Sequence, residues 1–252
     1  DWVYYLERTV RGVMGEKAIV VFLNGACGDV TQVDNLSPYA REFGEIAGRK
    51  VGQTVGAEVL KVLAQAFPGR LAPVAAKTRV LRIPRRKPSP ANVQKALETV
   101  QKDPKEVGHT TWTFAKETVL LDALLAKEPV AEVEVQAIQV GPAVFLANPA
   151  EFFCQLGLDI KKASPFRFTW PVELANGFVG YVPTEEAFGP HGGGYETRLT
   201  AYSNLETTAG TKIVEASIAL ARSLTPGRVP EPPKAPPFKK PWEYGAVPPQ
   251  VE

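Results

Sequence analysis

Residues 17–23, KAIVVFL, are apolar almost without interruption and pass directly into Asn24-Gly25-Ala26-Cys27-Gly28-Asp29-Val30-Thr31, a run of small and polar residues. A short segment that is apolar on both faces and bounded by turn residues is expected as a strand covered on both sides of an α/β sheet. Trp2, Tyr5, Leu6, Thr9, Val10 and Val13 recur before it at helical spacing and stop at Gly15. After it, Ser37-Pro38 offers an N-cap and a first-turn proline for a long helix carrying Phe43 to Leu63 and ending about Ala66. Gly44, Gly48, Gly52 and Gly56 fall at every fourth position of that helix, a ridge suited to close packing against the sheet.

The rest of the chain repeats the alternation. Periodicity predicts a strand near 74–83, a surface connection at Pro84-Arg85-Arg86-Lys87-Pro88, and two helices opening at Ser89-Pro90 and Thr110-Thr111 and ending near Lys102 and Glu128. Alternating residues from Val133 to Val140, a turn at Gly141-Pro142 and a buried run through Leu146 read as paired strands. A helix from about Glu151 to Ala163, a strand near 168–175, a glycine-rich loop and an amphipathic helix from Thr211 to Leu224 complete the pattern. The fold class is α/β, a mixed sheet flanked by helices with loops gathered at strand ends. Residues 85–130 read as a helical insertion, and the prolines between Pro226 and Pro249 as an extended tail over 225–252 that builds no core.

With 252 residues, 44% of them hydrophobic and 22% charged, the chain can bury a substantial core. A net charge of +2 from 29 basic and 27 acidic residues gives no field suited to nucleic acid, and Arg85-Arg86-Lys87 reads as the flank of a strand. Two cysteines, Cys27 and Cys154, make no disulfide framework and read as small core residues. No apolar stretch approaches the roughly 20 residues of a membrane span, and no signal peptide is visible. The chain opens on Asp1 rather than methionine, which this reading takes as a processed or truncated start.

Three predicted strand ends carry polar clusters in apolar surroundings: Asn24 to Asp34, Asn148 to Glu151, and Asn176 to Tyr181 with Tyr195-Glu196 beyond. Open α/β sheets place their sites at such ends. From residue types alone, the first cluster is open to two readings. One is a backbone cradle for phosphate, although the Walker lysine and the dinucleotide spacing are both missing. The other is a tight turn at Gly25 and Gly28 capped by Asp29.

Taken together and in order, the clusters resemble the neutral/alkaline, non-lysosomal ceramidases over roughly residues 1–224. "NGACGDVTQ" is similar to that family's Asn-x-Gly-Asp-Val-Ser-Pro signature, "NPAEFF" stands where the family has Pro-Gly-Glu, and "ANGFVGYVPTEEAFGPHGGGYE" corresponds to its Asn-x-Tyr-x-x-Tyr-x-x-Thr-x-Glu-Glu-Tyr segment and Arg-Tyr-Glu end. The resemblance implies a zinc-dependent hydrolase of N-acyl amides such as ceramide, with residues 1–224 as its catalytic domain. It makes Glu151 and Tyr181 metal ligands, Thr31, Tyr195 and Asp29 catalytic, and Asn24, Gly28 and Asn176 substrate-binding; from their own residue types, Asn24 and Asn176 read rather as ties between loops. Two further histidine ligands are expected upstream of residue 1, since the family holds them before its first signature and no histidine precedes His109 here. His109 and His191 read as surface or loop residues. Trp112, Phe114 and Tyr202 are open to core packing or to lining an acyl groove. The resemblance further implies a lipid or small amide substrate, possible peripheral contact with a membrane and an extracytoplasmic location, and carries no nucleic-acid partner. Two other readings stay open: a non-catalytic lipid- or glycan-binding homologue, and a structural domain whose Pro-Pro-x-x-Pro-Pro at 232–237 recruits a partner.

Overall fold

The computed structural model describes all residues except 32, 35, 40–42, 238, 241–244 and 246. Four strands form the main sheet in the order β1 (Val74–Pro84), β2 (Val130–Val140), β3 (Ala143–Ala147) and β5 (Phe168–Val172). The first three run antiparallel and β5 lies parallel to β3, so the sheet is mixed. Between β3 and β5 the chain crosses over through β4 (Ala150–Phe152) and α6 (Cys154–Ala163). β4 pairs in parallel with β6 (Gly180–Val182), and these two strands make a small second sheet.

β2 shows why the sheet has one buried face. Ala131, Val133, Val135 and Ala137 alternate inward and are almost fully buried, as a strand's two-residue period requires. Gln139 continues that face as a buried amide, and its Nε2 donates to the carbonyls of Gly141 (2.9 Å) and Thr225 (2.7 Å), which offsets its desolvation and ties down the start of the tail. α7 (Ala209–Arg222) packs Ile213, Ala216 and Leu220 across this face, and α6 brings Leu156 and Ile160 to the same core.

Two helical hairpins flank the sheet. α3 (Pro90–Val100) begins as its sequence predicts, with Ser89 accepting the Asn92 N–H at 3.2 Å and Pro90 in the first turn. A one-turn α4 (Pro104–Val107) leads into α5 (His109–Leu125), which packs against α3. α1 (Trp2–Met14) pairs with α2 (Gly44–Leu63).

The structure corrects several expectations. Residues 17–23 join no strand among the described residues; Ile19 and Val21 are exposed at 87% and 75%. Their natural neighbour would be β5, an edge strand, but Pro171 gives that edge no N–H to offer, and the link to it is one bond from Glu173 N to Asn24 O (3.1 Å). The helix expected from Ser37-Pro38 begins only at Gly44, because Asp34 Oδ1 accepts the N–H groups of Leu36 and Ser37 and folds that segment as a turn. Its glycine ridge meets α1 rather than the sheet: a Cβ on Gly52 would lie 2.2 Å from Trp2 O and one on Gly56 would lie 2.8 Å from Thr9 Cβ. Glu151 lies in β4 instead of opening a helix, since α6 starts three residues later at Cys154. The described residues after α7 form no helix or strand.

Candidate functional site

The three polar clusters meet at β4: the first bonds to its free edge, and the third forms β6 on the other. Gly28 is the contact point of the first. Its N–H donates to Phe152 O at 2.9 Å, and a Cβ there would stand 2.5 Å from Glu151 O, so a side chain is excluded by the close approach of β4. One residue on, Asp29 Oδ1 accepts the Cys154 N–H at 2.6 Å and caps α6, whose own preceding residue, Phe153, supplies no cap. The first cluster is thereby fixed against the chain from Glu151 to Cys154.

The second cluster is organised by Asn148, which is fully buried and turns the chain from β3 into β4 by accepting the Ala150 N–H on its Oδ1 (3.0 Å). The third is zipped to it: Leu174 N donates to Ala150 O, Ala175 N to Asn148 O and Val179 N to Pro149 O. Leu174 and Asn176 adopt left-handed backbone (φ 54° and 63°) within this zipper. Asn176 Nδ2 donates to Glu134 Oε1 at 2.9 Å, which places it as a strap onto β2.

Register then brings the proposed ligand types side by side. Glu151 and Tyr181 are direct partners across the parallel β4–β6 pair. The Tyr181 hydroxyl lies 3.2 Å from that of Tyr195, with the rings edge to face at 5.4 Å. Tyr181 N donates to Tyr202 O (2.9 Å), which locks β6 against the loop that carries Tyr195. Burial, the hydrogen bond to Tyr195 and then the Glu151 carboxylate all push the Tyr181 hydroxyl well above the usual phenol range. Thr31 lies in the first cluster, and its Oγ1 accepts the Val33 N–H at 3.2 Å, so the hydroxyl proton is left for another acceptor. Asn24 acts through its backbone carbonyl, as noted above.

Two residues to which the sequence assigned no part in the site hold this arrangement. Glu173, only 5% exposed, accepts Cys27 N (3.1 Å) and Phe152 N (2.8 Å) on one oxygen and the Cys27 thiol (2.8 Å) on the other. It clamps the first cluster to β4. Partial burial of the thiol, then its hydrogen bond to Glu173 and the charge of that carboxylate, push Cys27 up to about 12. The available signal was its position as the lone carboxylate in the apolar stretch Phe168-Thr-Trp-Pro-Val-Glu-Leu174. Arg86, expected at the surface, instead sends its guanidinium to the carbonyls of Leu205 (2.9 Å), Thr197 (3.3 Å) and Ser203 (3.1 Å) and lies 4.8 Å above the Phe188 ring. It gathers both ends of the loop bearing Tyr195.

Asp29, Glu151 and Glu173 form no ion pair among the described residues; Asp29 is instead met by the N-terminus of α6 and Glu173 by two N–H groups and a thiol. No group of three or more histidine, cysteine, aspartate or glutamate side chains able to hold a metal ion occurs among those residues. His109 starts α5 and His191 sits exposed in the glycine-rich loop, as the sequence indicates. No described helix is long and apolar enough to cross a membrane.

The architecture is that of a ceramidase-like α/β fold. It is similar to the crystal structure of neutral ceramidase from Pseudomonas aeruginosa, at a TM-score of 0.54 and 15% identity over 90% of this chain and 42% of that one. It is also similar to a ceramidase complexed with C2, at a TM-score of 0.59 and 17% identity over 90% of this chain and 43% of that one. The chain thus spans less than half the length of these solved proteins. No protein-family model and no curated protein matches the sequence.

Proposed function

We propose that this chain carries part of the hydrolytic centre of a ceramidase-type amidohydrolase, with residues 1–224 as the hydrolase unit. The observation that carries the reading is the convergence of three sequence-distant segments on β4 and β6: Gly28 packs on Glu151, Glu151 pairs in register with Tyr181, and Tyr181 touches Tyr195. Glu151 and Tyr181 fit two positions of a zinc centre as adjacent oxygen donors; such a centre takes about three or four protein ligands, and no group of three or more histidine, cysteine, aspartate or glutamate side chains completes it among the described residues. A zinc ion bound there supplies Lewis acidity and a bound water acidified toward about pH 7.

The chain's own groups supply orientation. The Tyr195 hydroxyl, on a half-exposed side chain and held by Tyr181, serves as the donor to the amide carbonyl oxygen, where negative charge develops. Thr31 offers a hydroxyl proton beside the backbone amides of the first cluster. Hydrolysis of an N-acyl amide consumes one water and breaks the C–N bond, giving a carboxylate and an amine.

Turnover of a short-chain N-acylsphingosine is the test. Tyr195→Phe should lower kcat on the order of 10², while the loss of one half-exposed hydroxyl lowers stability by about 1 kcal/mol or less. Undiminished turnover in Tyr195→Phe would remove the assigned donor. Tight binding of the lipid without hydrolysis, in a protein that carries all the ligands of the zinc site, would assign the chain to the non-catalytic binders.

A further inference from the structure

The helical insertion carries a groove that the hydrolytic reading does not use. α3 and α5 leave a cavity of about 410 Å³ along their seam, within the size range of small-ligand sites. The seam stays open because small residues line it: Ala96 from α3 and Ala115 from α5 stand where larger apolar side chains would fill the space. Thr99 and Thr118 also line it, but their hydroxyls already donate within their own helices, to Lys95 O (2.8 Å) and Phe114 O (2.9 Å). The groove is thus mixed: Ala96, Phe114, Ala115 and Leu199 give it apolar surface, while Asn92, Thr110 and Thr111 line it with polar groups.

Its charged groups are all of one sign. Arg198 and Lys95 line the groove, no aspartate or glutamate does, and neither cation has an ion-pair partner among the described residues. Arg198 is also held in place: its guanidinium carbon lies 3.9 Å from the centre of the Phe114 ring. Stacking of this kind fixes the plane of the guanidinium while leaving its N–H fork open to an acceptor. Arg198 directly follows the Tyr195–Thr197 turn, so the cationic part of the groove adjoins the candidate site along the chain.

We propose that this groove binds a carboxylate-headed amphiphile of medium chain length. The carboxylate pairs with the Arg198 fork and the Lys95 ammonium, and the alkyl chain lies along the seam between Ala96, Phe114 and Ala115. A planar carboxylate matches a fixed guanidinium in bidentate fashion, and an apolar seam beside it selects an anion with a tail over an inorganic one. The claim stands on the groove alone, although hydrolysis of an N-acyl amide releases a ligand of this class.

Isothermal titration of the protein with hexanoate, octanoate and decanoate below their micellar concentrations tests it. At about 0.8 kcal/mol per buried methylene, affinity should rise roughly fourfold with each added methylene. Arg198→Met, which keeps bulk on an exposed side chain, should weaken decanoate binding at least tenfold, and Ala115→Leu should flatten the chain-length dependence by filling the seam. Methyl decanoate should bind much more weakly than decanoate. Equal binding of ester and acid would overturn the carboxylate assignment, affinity independent of chain length would overturn the seam, and absence of binding would overturn both. None of these readouts depends on amide hydrolysis, so a protein that hydrolyses amides but binds no carboxylate, or the reverse, separates the two proposals.

Discussion

Cys27 and Glu173 show how one buried carboxylate decides the chemistry of its neighbours. Glu173 is nine-tenths buried with no cation beside it, and three donors from two segments satisfy it. Its neighbour pays in nucleophilicity: a thiol raised to about 12 is protonated throughout the physiological range, although the residue is exposed. Because the thiol titrates higher in the folded chain than in the unfolded one, its contribution to stability is complete below the ordinary thiol pKa and fades as pH rises toward 12. The expected outcome is slow alkylation of Cys27 by iodoacetamide at pH 8.5, roughly 10² or more below the rate after unfolding. Replacement of Glu173 by Gln should restore part of that rate, since the burial of the thiol remains. A native Cys27 that reacts as fast as the unfolded chain would show that the clamp is not formed. Cysteine spacing in the sequence gave no access to this, because the partner lies 146 residues away.

The elements were legible where local rules govern them and obscure where distant partners do. Ser89-Pro90, the alternation of β2 and the stop of α1 at Gly15 are written in their own residues, and each element formed where its pattern placed it. The run at 17–23 has the composition of a buried strand, yet a strand exists only with a neighbour, and the edge presented by β5 carries Pro171. β4 and β6 are three residues each, too short for a period to register, although their pairing sets Glu151 beside Tyr181. Arg86 belongs to the same lesson: a basic run reads as solvated surface until the loop at 188–205 folds over it. Arg86→Met should uncover three carbonyls and lower stability on the order of 2–3 kcal/mol, and Arg86→Lys should recover little, since an ammonium cannot span the fork. Hydrogen exchange locates the effect: protection of the Tyr181 N–H, bonded to Tyr202 O, should fall by more than that of the β2 amides. Equal loss across the sheet would mean that Arg86 stabilises the fold without ordering the loop.

At the scale of the whole molecule, the sheet and its crossover place three sequence-distant clusters around Glu151, and the likeness to solved ceramidases extends over 90% of the chain. The order of the clusters in the sequence was enough to point to that fold; their contacts were not, since the clamp by Glu173 and the strap by Arg86 depend on tertiary packing. The most direct measurement is fatty-acid release from N-acylsphingosine by a protein in which this chain is joined to the remaining zinc ligands, before chelation, after removal of divalent metal and after return of Zn²⁺, with Glu151→Gln in parallel. Loss of a ligand at a catalytic zinc should abolish most of the rate and the response to added metal together. The account predicts hydrolysis that chelation removes and zinc restores when Glu151 is intact, with neither in Glu151→Gln; hydrolysis that persists through chelation, or that Glu151→Gln leaves intact, would contradict it.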